Sequence, residues 1–449
     1  MNILVINGSP KGENSITLQT VKYLSMRYPD HDFRQLHAGL KIKSLEKDFS
    51  GAAGDIAWAD LLLFSYPVYT FIAPCQLHRF IELMKQHGVH VAGKYATQLT
   101  TSKHFYDTTA HSYVQDNCQD MGMRCLRGLS ADMDDLLHEK GRKEADAFFA
   151  RILFEMERGY AEPDFIRRDA PARLPITPLP CDAQEKPGDV VIVADIEEGD
   201  AQLQAMIDRF RAALPLKTRV VNLREYPFKG GCLGCFNCAG DGKCVYRDGF
   251  DEFLRGTIQT AQAIVYAFTI RDHSMGARFK LYDDRQFCNG HRTVTMGMPM
   301  GYLISGNLAQ EENLRTIIEG RAQVGGNPLA GIATDERDPD GGIDRLAATL
   351  AYMLENHYVQ PQNFLGVGGM KIFRDLIYMM QGMMRADHKF FKAHGQYDFP
   401  QKKKGTILAM YLVGFLNSNK KLKAKMGTKM TEGMLMPYKK VFKALEKND

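Results

Sequence analysis

Apolar positions near the N-terminus form a short unbroken run, Ile3-Leu4-Val5-Ile6, and give way to the polar stretch Asn7-Gly8-Ser9-Pro10-Lys11-Gly12-Glu13-Asn14-Ser15. Beyond it Leu18, Val21 and Leu24 recur at helical spacing. A β-branched run of this length reads as a buried strand, and the change of period as a loop leading into a helix. The same reading places strands over residues 32–36, 61–64 and 94–99, the end of a helix at 56–59, and a helix over 139–158. Strands that alternate with helices predict a parallel, doubly wound sheet. Ligands of such sheets sit beyond the C-terminal ends of the strands.

The pattern then returns. Residues 163–188 hold six prolines among scattered charges, which is the composition of an extended linker. After it, Val190-Val191-Ile192-Val193 reads as another first strand and Arg219-Val220-Val221-Asn222-Leu223 as another second strand. Residues 258–271 align with 56–69 without a gap. A fourth strand is expected over 296–305 and helices over 308–323 and 344–355. The fold class expected is therefore α/β, with two doubly wound parallel-sheet domains in tandem and a helical, basic C-terminal extension. The expected boundaries are 1–165 for the first domain, 166–188 for the linker, 189–360 for the second domain and 361–449 for the extension. Residues 366–370 read as a glycine-rich loop, either wrapping a cofactor or, the favoured reading, forming a plain turn. Met370, Met379, Met380, Met383 and Met384 read as one amphipathic helix.

Composition changes this picture little. The chain has 449 residues, 45% hydrophobic and 24% charged, as expected of a globular protein with two or three domains. A net charge of +4 does not call for nucleic acid, and the basic residues are not interleaved with stacking aromatics. Met1 leads directly into the first strand, so no signal peptide and a cytoplasmic location are expected. The basic residues crowd the last fifty positions, around Ile407-Leu408-Ala409-Met410-Tyr411-Leu412-Val413. The apolar run over 405–416 is too short to span a bilayer. Two readings stay open there: a peripheral contact with an anionic membrane, and the solvated basic face of a packed helix, which is favoured.

Candidate chemistry begins in the first loop. Gly8 and Gly12 allow close backbone approach, Ser9, Ser15 and Thr17 offer hydroxyls, and Lys11 adds charge. Over a helix N-terminus such a loop suits a phosphate; an ordinary capped turn is the plain alternative. The loop is neither a Walker loop nor G-x-G-x-x-G. The third strand runs into Pro67-Val68-Tyr69, where Tyr69 and Phe71 are placed to flank a flat ring. The fourth delivers Thr100-Thr101-Ser102-Lys103-His104, read as a hydroxyl-rich loop able to bond the polar edge of such a ring. His104 and His111 are candidates for holding a substrate or a proton, although a loop histidine is more often simply solvated. In the second copy the first loop has become Asp195-Ile196-Glu197-Glu198-Gly199-Asp200. Its hydroxyls are gone and its four carboxylates would repel an anionic tail.

Four of the nine cysteines are bunched as Cys232, Cys235, Cys238 and Cys244, spaced C-x2-C-x2-C-x5-C among glycines that permit tight turns. This is not a disulfide scaffold. The compact spacing is typical of 4Fe-4S ligation; zinc, which usually pairs C-x-x-C units across a longer gap, and uncoordinated thiols are the two weaker readings. Cys75, Cys118, Cys125, Cys181 and Cys288 are scattered and read as structural.

The order G-S-P-K-G-x-x-S-x-T, then A-D-L-L-L-F-S-Y-P-V-Y, then T-T-S resembles the flavodoxin-like NAD(P)H-dependent FMN reductases over most of residues 1–165. The resemblance implies a flavodoxin-like fold for each copy and FMN in the first, with NAD(P)H as co-substrate. Ser9, Ser15 and Thr17, with Lys11 beside them, would hold the phosphate. Pro67, Val68 and Tyr69 would border the ring, with Thr101 and Ser102 on its polar side. The cysteine run, placed after the second strand of the second copy, resembles the iron–sulfur flavoproteins over roughly residues 188–330. In that branch each subunit is implied to carry FMN and cluster, the cluster lying near a neighbour's flavin. Here the two motifs sit on different halves, so an internal pseudo-dimer or a homodimer is expected. The implied function is electron transfer from NAD(P)H through FMN to an iron–sulfur cluster. A quinone, another flavin, a nitro or azo compound, or a carrier protein would be the acceptor. The alternatives are a non-enzymatic electron carrier reduced by a ferredoxin-like partner, and a zinc-stabilised flavin-binding module.

Overall fold

The computed structural model describes residues 1–164, 171–180, 185–418, 435, 438, 439, 441–443, 445 and 446; Cys181 lies outside them. The chain forms two compact units, Met1–Phe390 and Phe391–Asp449.

In the first unit the opening apolar run is the central strand β1 (Asn2–Asn7). It pairs in parallel with β2 (Asp32–Leu36) and β3 (Leu61–Pro67); β4 (Tyr95–Ser102) and β5 (Arg124–Cys125) follow, giving the order β2-β1-β3-β4-β5, with β6 (Leu129–Asp132) also beside β4. The helices are α1 (Ile16–Arg27), α2 (Ala38–Leu45), α3 (Ser50–Trp58), α4 (Cys75–Gln86), α5 (Asp107–Asp120) and α6 (Glu139–Glu157). Alternate strand side chains face opposite layers. Ile3, Val5, Leu61 and Leu63 pack on Leu18, Val21 and Leu24 of α1 and on Phe149 and Ile152 of α6.

The second sheet uses β7 (Val190–Asp195), β8 (Thr218–Asn222), β9 (Ala263–Thr269), β10 (Met300–Ser305) and β11 (Leu329–Thr334) in the order β11-β10-β9-β7-β8. Counted within each copy, both sheets run 2-1-3-4-5, a doubly wound order. The helices here are α7 (Ala201–Ala213), the short α8 (Cys238–Asp241) and α9 (Phe250–Phe253), then α10 (Gly276–Arg285), α11 (Glu312–Gly325) and α12 (Pro339–Glu355). The described part of the linker lies against this copy: Leu174 N–H donates to Asp335 O at 2.8 Å, and Ile176 is buried.

The duplication is visible at single residues. β9 begins and ends 202 residues after β3. A one-pair bridge joins Tyr69 to Ile72, and its counterpart joins Arg271 to Ser274. Thr70 and Phe71 have positive φ, as do Asp272 and His273 at the equivalent positions. The copies meet through equivalent helices, α4 on α10 and α5 on α11, and their inner faces merge into one apolar core. The contact is reciprocal. Cys75 N–H, at the start of α4, donates to the Asp284 carboxylate at 2.7 Å, and Ala277 N–H, in the first turn of α10, donates to the Glu82 carboxylate at 2.7 Å.

Four sequence expectations are corrected. β4 continues to Ser102, so Thr100, Thr101 and Ser102 are strand and not loop. The second copy's fourth strand starts at Met300 and not at 296. Residues 366–370 are helical, inside α13 (Phe364–Met379), which starts at the capping side chain of Asn363. The glycines serve close helix packing rather than a turn: a Cβ at Gly366 would lie 2.7 Å from Gln323 O, and one at Gly369 2.6 Å from Val324 Cγ2. The five methionines do not share that helix; Met383 and Met384 lie past its end, before α14 (Arg385–Ala393), and only Met384 among them is fully buried.

In the second unit, α15 (Lys404–Ser418) is exposed along its apolar residues, against the favoured reading of a packed helix. Among the described residues no helix is long and apolar enough to cross a membrane.

Asp284 is fully buried and also holds Lys280, itself fully buried. Asp284→Ala should therefore destabilise by about 3–5 kcal/mol, since it leaves the buried Lys280 cation with Asp283 at 3.5 Å as its carboxylate partner. Glu82→Ala should lose only about 1–3 kcal/mol. Urea denaturation compares the two, and equal losses would contradict the reciprocal arrangement's unequal burden.

Candidate functional site

The C-terminal ends of β1, β3 and β4 open into a cavity with about 1450 Å³ of free space, its mouth included. Ser9, Lys11, Ser15, Thr17, Pro67, Val68, Tyr69, Thr101 and Ser102 all line it. So do Cys232, Cys235, Cys238 and Cys244, which come from the other copy.

One corner is built by the first loop. Asn7 Nδ2 donates to Gly12 O at 3.0 Å, Asn7 Oδ1 accepts from Ser9 N–H at 3.1 Å, and Gly12 has φ +54°. The loop is thereby folded over the N-terminus of α1. Ser15 occupies the N-cap position, yet its hydroxyl caps no backbone N–H. The first-turn N–H groups have no partner within the helix, and the dipole favours an anion there. Ser9, Ser15 and Thr17 are buried, and the Thr17 and Thr101 hydroxyls lie 2.6 Å apart.

The turn after β3 brings Tyr69 to the cavity wall, where its buried hydroxyl finds no hydrogen-bond partner. Lys280 Nζ donates to Tyr69 O at 2.9 Å, so α10 of the second copy anchors this wall. Phe71 does not flank the cavity; it packs on Phe105 and Tyr106 instead. Neither candidate histidine lines it. His104 is exposed, with Nδ1 3.0 Å from Asp107, and His111 is half-buried against the Thr100 hydroxyl at 2.8 Å, its pKa lowered to about 4 by desolvation. The histidine that does line it is His291, whose Nδ1 lies 3.1 Å from the buried Asp387 carboxylate. Arg285, Phe287, Cys288, Phe373 and Met384 also reach the cavity. No local motif marks these positions.

The cysteine segment follows β8 and crosses to the first copy. Gln76 Nε2 donates to Cys232 O at 3.2 Å. Gly231 abuts the Cys75 thiol and Gly234, at φ +59°, abuts the Tyr69 hydroxyl, so a Cβ at either would clash. Arg285 holds the segment's base through two bonds to Asp248, 2.8 and 2.7 Å, and one to Gly230 O at 2.9 Å. Burial pushes the Cys232 thiol well above its usual range. Burial, then the neighbouring Cys235 and Cys244, pushes Cys238 up to about 11. The Cys238 thiol donates to Phe287 O at 3.0 Å. Burial lowers the pKa of Lys11, while Cys232 and Cys235 act the other way. Among the described residues no group of three or more His, Cys, Asp or Glu side chains is gathered as a metal site. The donor set suits a thiophilic centre in kind; closing on one requires the thiols to deprotonate and draw together.

The equivalent loop of the second copy is closed by its own side chains. Asp200 caps α7 at Leu203 N–H and accepts from the Thr269 hydroxyl at 2.6 Å. Arg224 pairs with Asp195 at 2.7 Å and Glu197 at 2.6 Å, and Arg271, at the position equivalent to Tyr69, pairs with Glu197.

Residues 1–145 match a protein family described by its flavodoxin-like fold. Among solved structures, the chain is similar to an NADH:FMN oxidoreductase in its apo form, at 22% identity and TM-score 0.31, over 34% of this chain and 89% of that one. It is similar to an FMN-dependent NADH-azoreductase from Bacillus anthracis str. Ames Ancestor in complex with FMN, at 13% identity and TM-score 0.28, over 34% and 99%. It is also similar to an NAD(P)H:quinone oxidoreductase from Methanothermobacter marburgensis, at 13% identity and TM-score 0.28, over 36% and 99%. No curated protein matches the chain.

The thiol environments predict an order of alkylation in chelator-treated protein. Exposed Cys235 should react first near neutral pH. Cys238 should lag and speed up by about tenfold per pH unit toward its pKa, because the thiolate is the nucleophile. Peptide mapping by mass spectrometry after timed iodoacetamide treatment reads this directly.

Proposed function

We propose that this chain, whose residues 1–145 match a family with the flavodoxin-like fold, is an FMN-dependent oxidoreductase using NAD(P)H, with an iron–sulfur cluster held by Cys232, Cys235, Cys238 and Cys244 beside the flavin site. The observation that carries the reading is one cavity lined by the nine residues expected to hold FMN, from one copy, and the four clustered cysteines, from the other.

Each side chain has a place in this reading. The uncapped N-terminus of α1, with the buried hydroxyls of Ser9, Ser15 and Thr17, binds the phosphate end. Pro67, Val68 and Tyr69 supply an apolar border for the ring, and Thr101 and Ser102 hydroxyls face its polar edge. Lys11, near both the phosphate loop and Cys232, offsets negative charge on either side. Gly234 brings the cysteine segment against Tyr69, which keeps the two centres adjacent. Bound FMN supplies hydride acceptance and one- or two-electron release, and a cluster supplies one-electron storage. The chain contributes binding, orientation and exclusion of water. The acceptor in this reading is of the quinone, flavin, nitro or azo class and enters by the cavity's open mouth.

Anaerobic purification with FMN and iron quantitation tests the proposal. The expected protein is coloured, holds one FMN and about four irons per chain, and is bleached within the mixing time by NADH or NADPH. Colourless protein would defeat both assignments, and zinc without iron would remove the cluster. Bleaching only by a reduced protein partner would make the chain a carrier. Ser15→Ala and Thr17→Val should each weaken FMN binding by about 5- to 150-fold, from about 1–3 kcal/mol per lost buried hydrogen bond. Cys238→Ser should lose iron and keep FMN.

A further inference from the structure

We propose that the Phe391–Asp449 unit docks the protein onto an anionic lipid surface, inserting α15 and the apolar stripe that follows it. The proposal does not depend on what the cavity binds.

Between residues 405 and 416 only Thr406 and the Tyr411 hydroxyl are polar. Leu408, Tyr411 and Phe415 are 72%, 76% and 77% exposed, and Ile407, Met410, Leu412 and Leu416 are exposed beside them. These residues surround the helix; they do not form a stripe along it. A helix that is apolar all round is found in a core or in lipid. A second copy or a protein groove would cover one face and leave the others in water, whereas a lipid phase covers every face. Fifteen residues at about 1.5 Å each reach about 22 Å, short of the about 30 Å of a hydrocarbon core. Insertion is therefore confined to one leaflet.

Charge identifies the lipid. Residues 402–449 carry twelve lysines against three acids, whereas the whole chain is only +4. Lys402, Lys403 and Lys404 precede the apolar segment, and Lys420, Lys421, Lys423 and Lys425 follow it. Lysines at both ends of an apolar helix let their stems lie along lipid while the ammonium groups reach the headgroups. A second, separate feature points the same way. Leu435, Tyr438, Val441, Phe442 and Leu445 recur at helical spacing and are all exposed, with Lys439 and Lys443 between them. That is the pattern of a basic amphipathic helix lying in a membrane interface.

Flotation of the full chain with vesicles tests this. Protein should float with phosphatidylcholine vesicles containing phosphatidylglycerol, and at least about tenfold less with phosphatidylcholine alone. Leu408→Glu/Leu412→Glu/Phe415→Glu should abolish flotation while the thermal melting and far-ultraviolet circular dichroism of the protein stay unchanged. Tyr411→Trp should show a blue-shifted emission with the anionic vesicles. Absence of flotation overturns the proposal. So does a concentration-dependent dimer that the triple variant dissolves, which would make a second copy the occupant. Flotation that survives the triple variant without a blue shift also overturns it, since lysines alone would then adsorb the chain.

Discussion

Two backbone N–H groups and two carboxylates hold this molecule's site in place. The N-terminus of α4 is met by Asp284 from α10, and the N-terminus of α10 by Glu82 from α4, both at 2.7 Å. A carboxylate at a helix N-terminus satisfies unpaired N–H groups and meets the positive end of the dipole. Because the partners are equivalent positions of a duplicated sequence, the contact is self-complementary, as at a two-fold dimer interface. Here it lies within one chain. Asp284 also accepts from the Thr70 hydroxyl, and Lys280 beside it anchors the Tyr69 carbonyl. The interface thus fixes the turn that carries one cavity wall, and docks the cysteine segment of one copy over the strand ends of the other.

Symmetry in the frame permits asymmetry in the chemistry. The first copy retains an uncapped helix N-terminus ringed by buried hydroxyls. The second has capped its own helix with Asp200 and filled the crevice with Arg224, Arg271 and their carboxylates. Bare carboxylates would have repelled an anion. The paired ones exclude it by occupying its place and its hydrogen-bond donors. What the second copy lost there it replaced with a cysteine segment aimed at its twin, and Gly231 and Gly234 allow the approach, since any side chain would collide with Cys75 or Tyr69.

Much of the fold was legible because strands and helices follow from local periodicity. β1, β3, β7 and β9 fall where the apolar runs put them, and the gapless match of 56–69 with 258–271 is a structural equivalence down to the sign of φ at Thr70 and Asp272. Reading failed where one residue type serves two purposes. Gly366 and Gly369 have the composition of a turn, yet they let α13 press against α11. The threonines after 99 have the polarity of a loop, yet they extend a strand whose end faces the cavity. Phe71 had the right chemistry for a ring wall but its backbone turns it toward Phe105.

The amino-acid order alone determined the elements, the repeat, the hydroxyl loop and the spacing of four thiols, since each depends on neighbours within a dozen residues. Only the tertiary structure decided that Ser9 and Cys232 share a cavity and that His291 and Asp387 join them. Those outcomes depend on how two folded copies dock as solid bodies. Such docking is governed by shape and a few buried charges far apart in the chain, which no local pattern encodes.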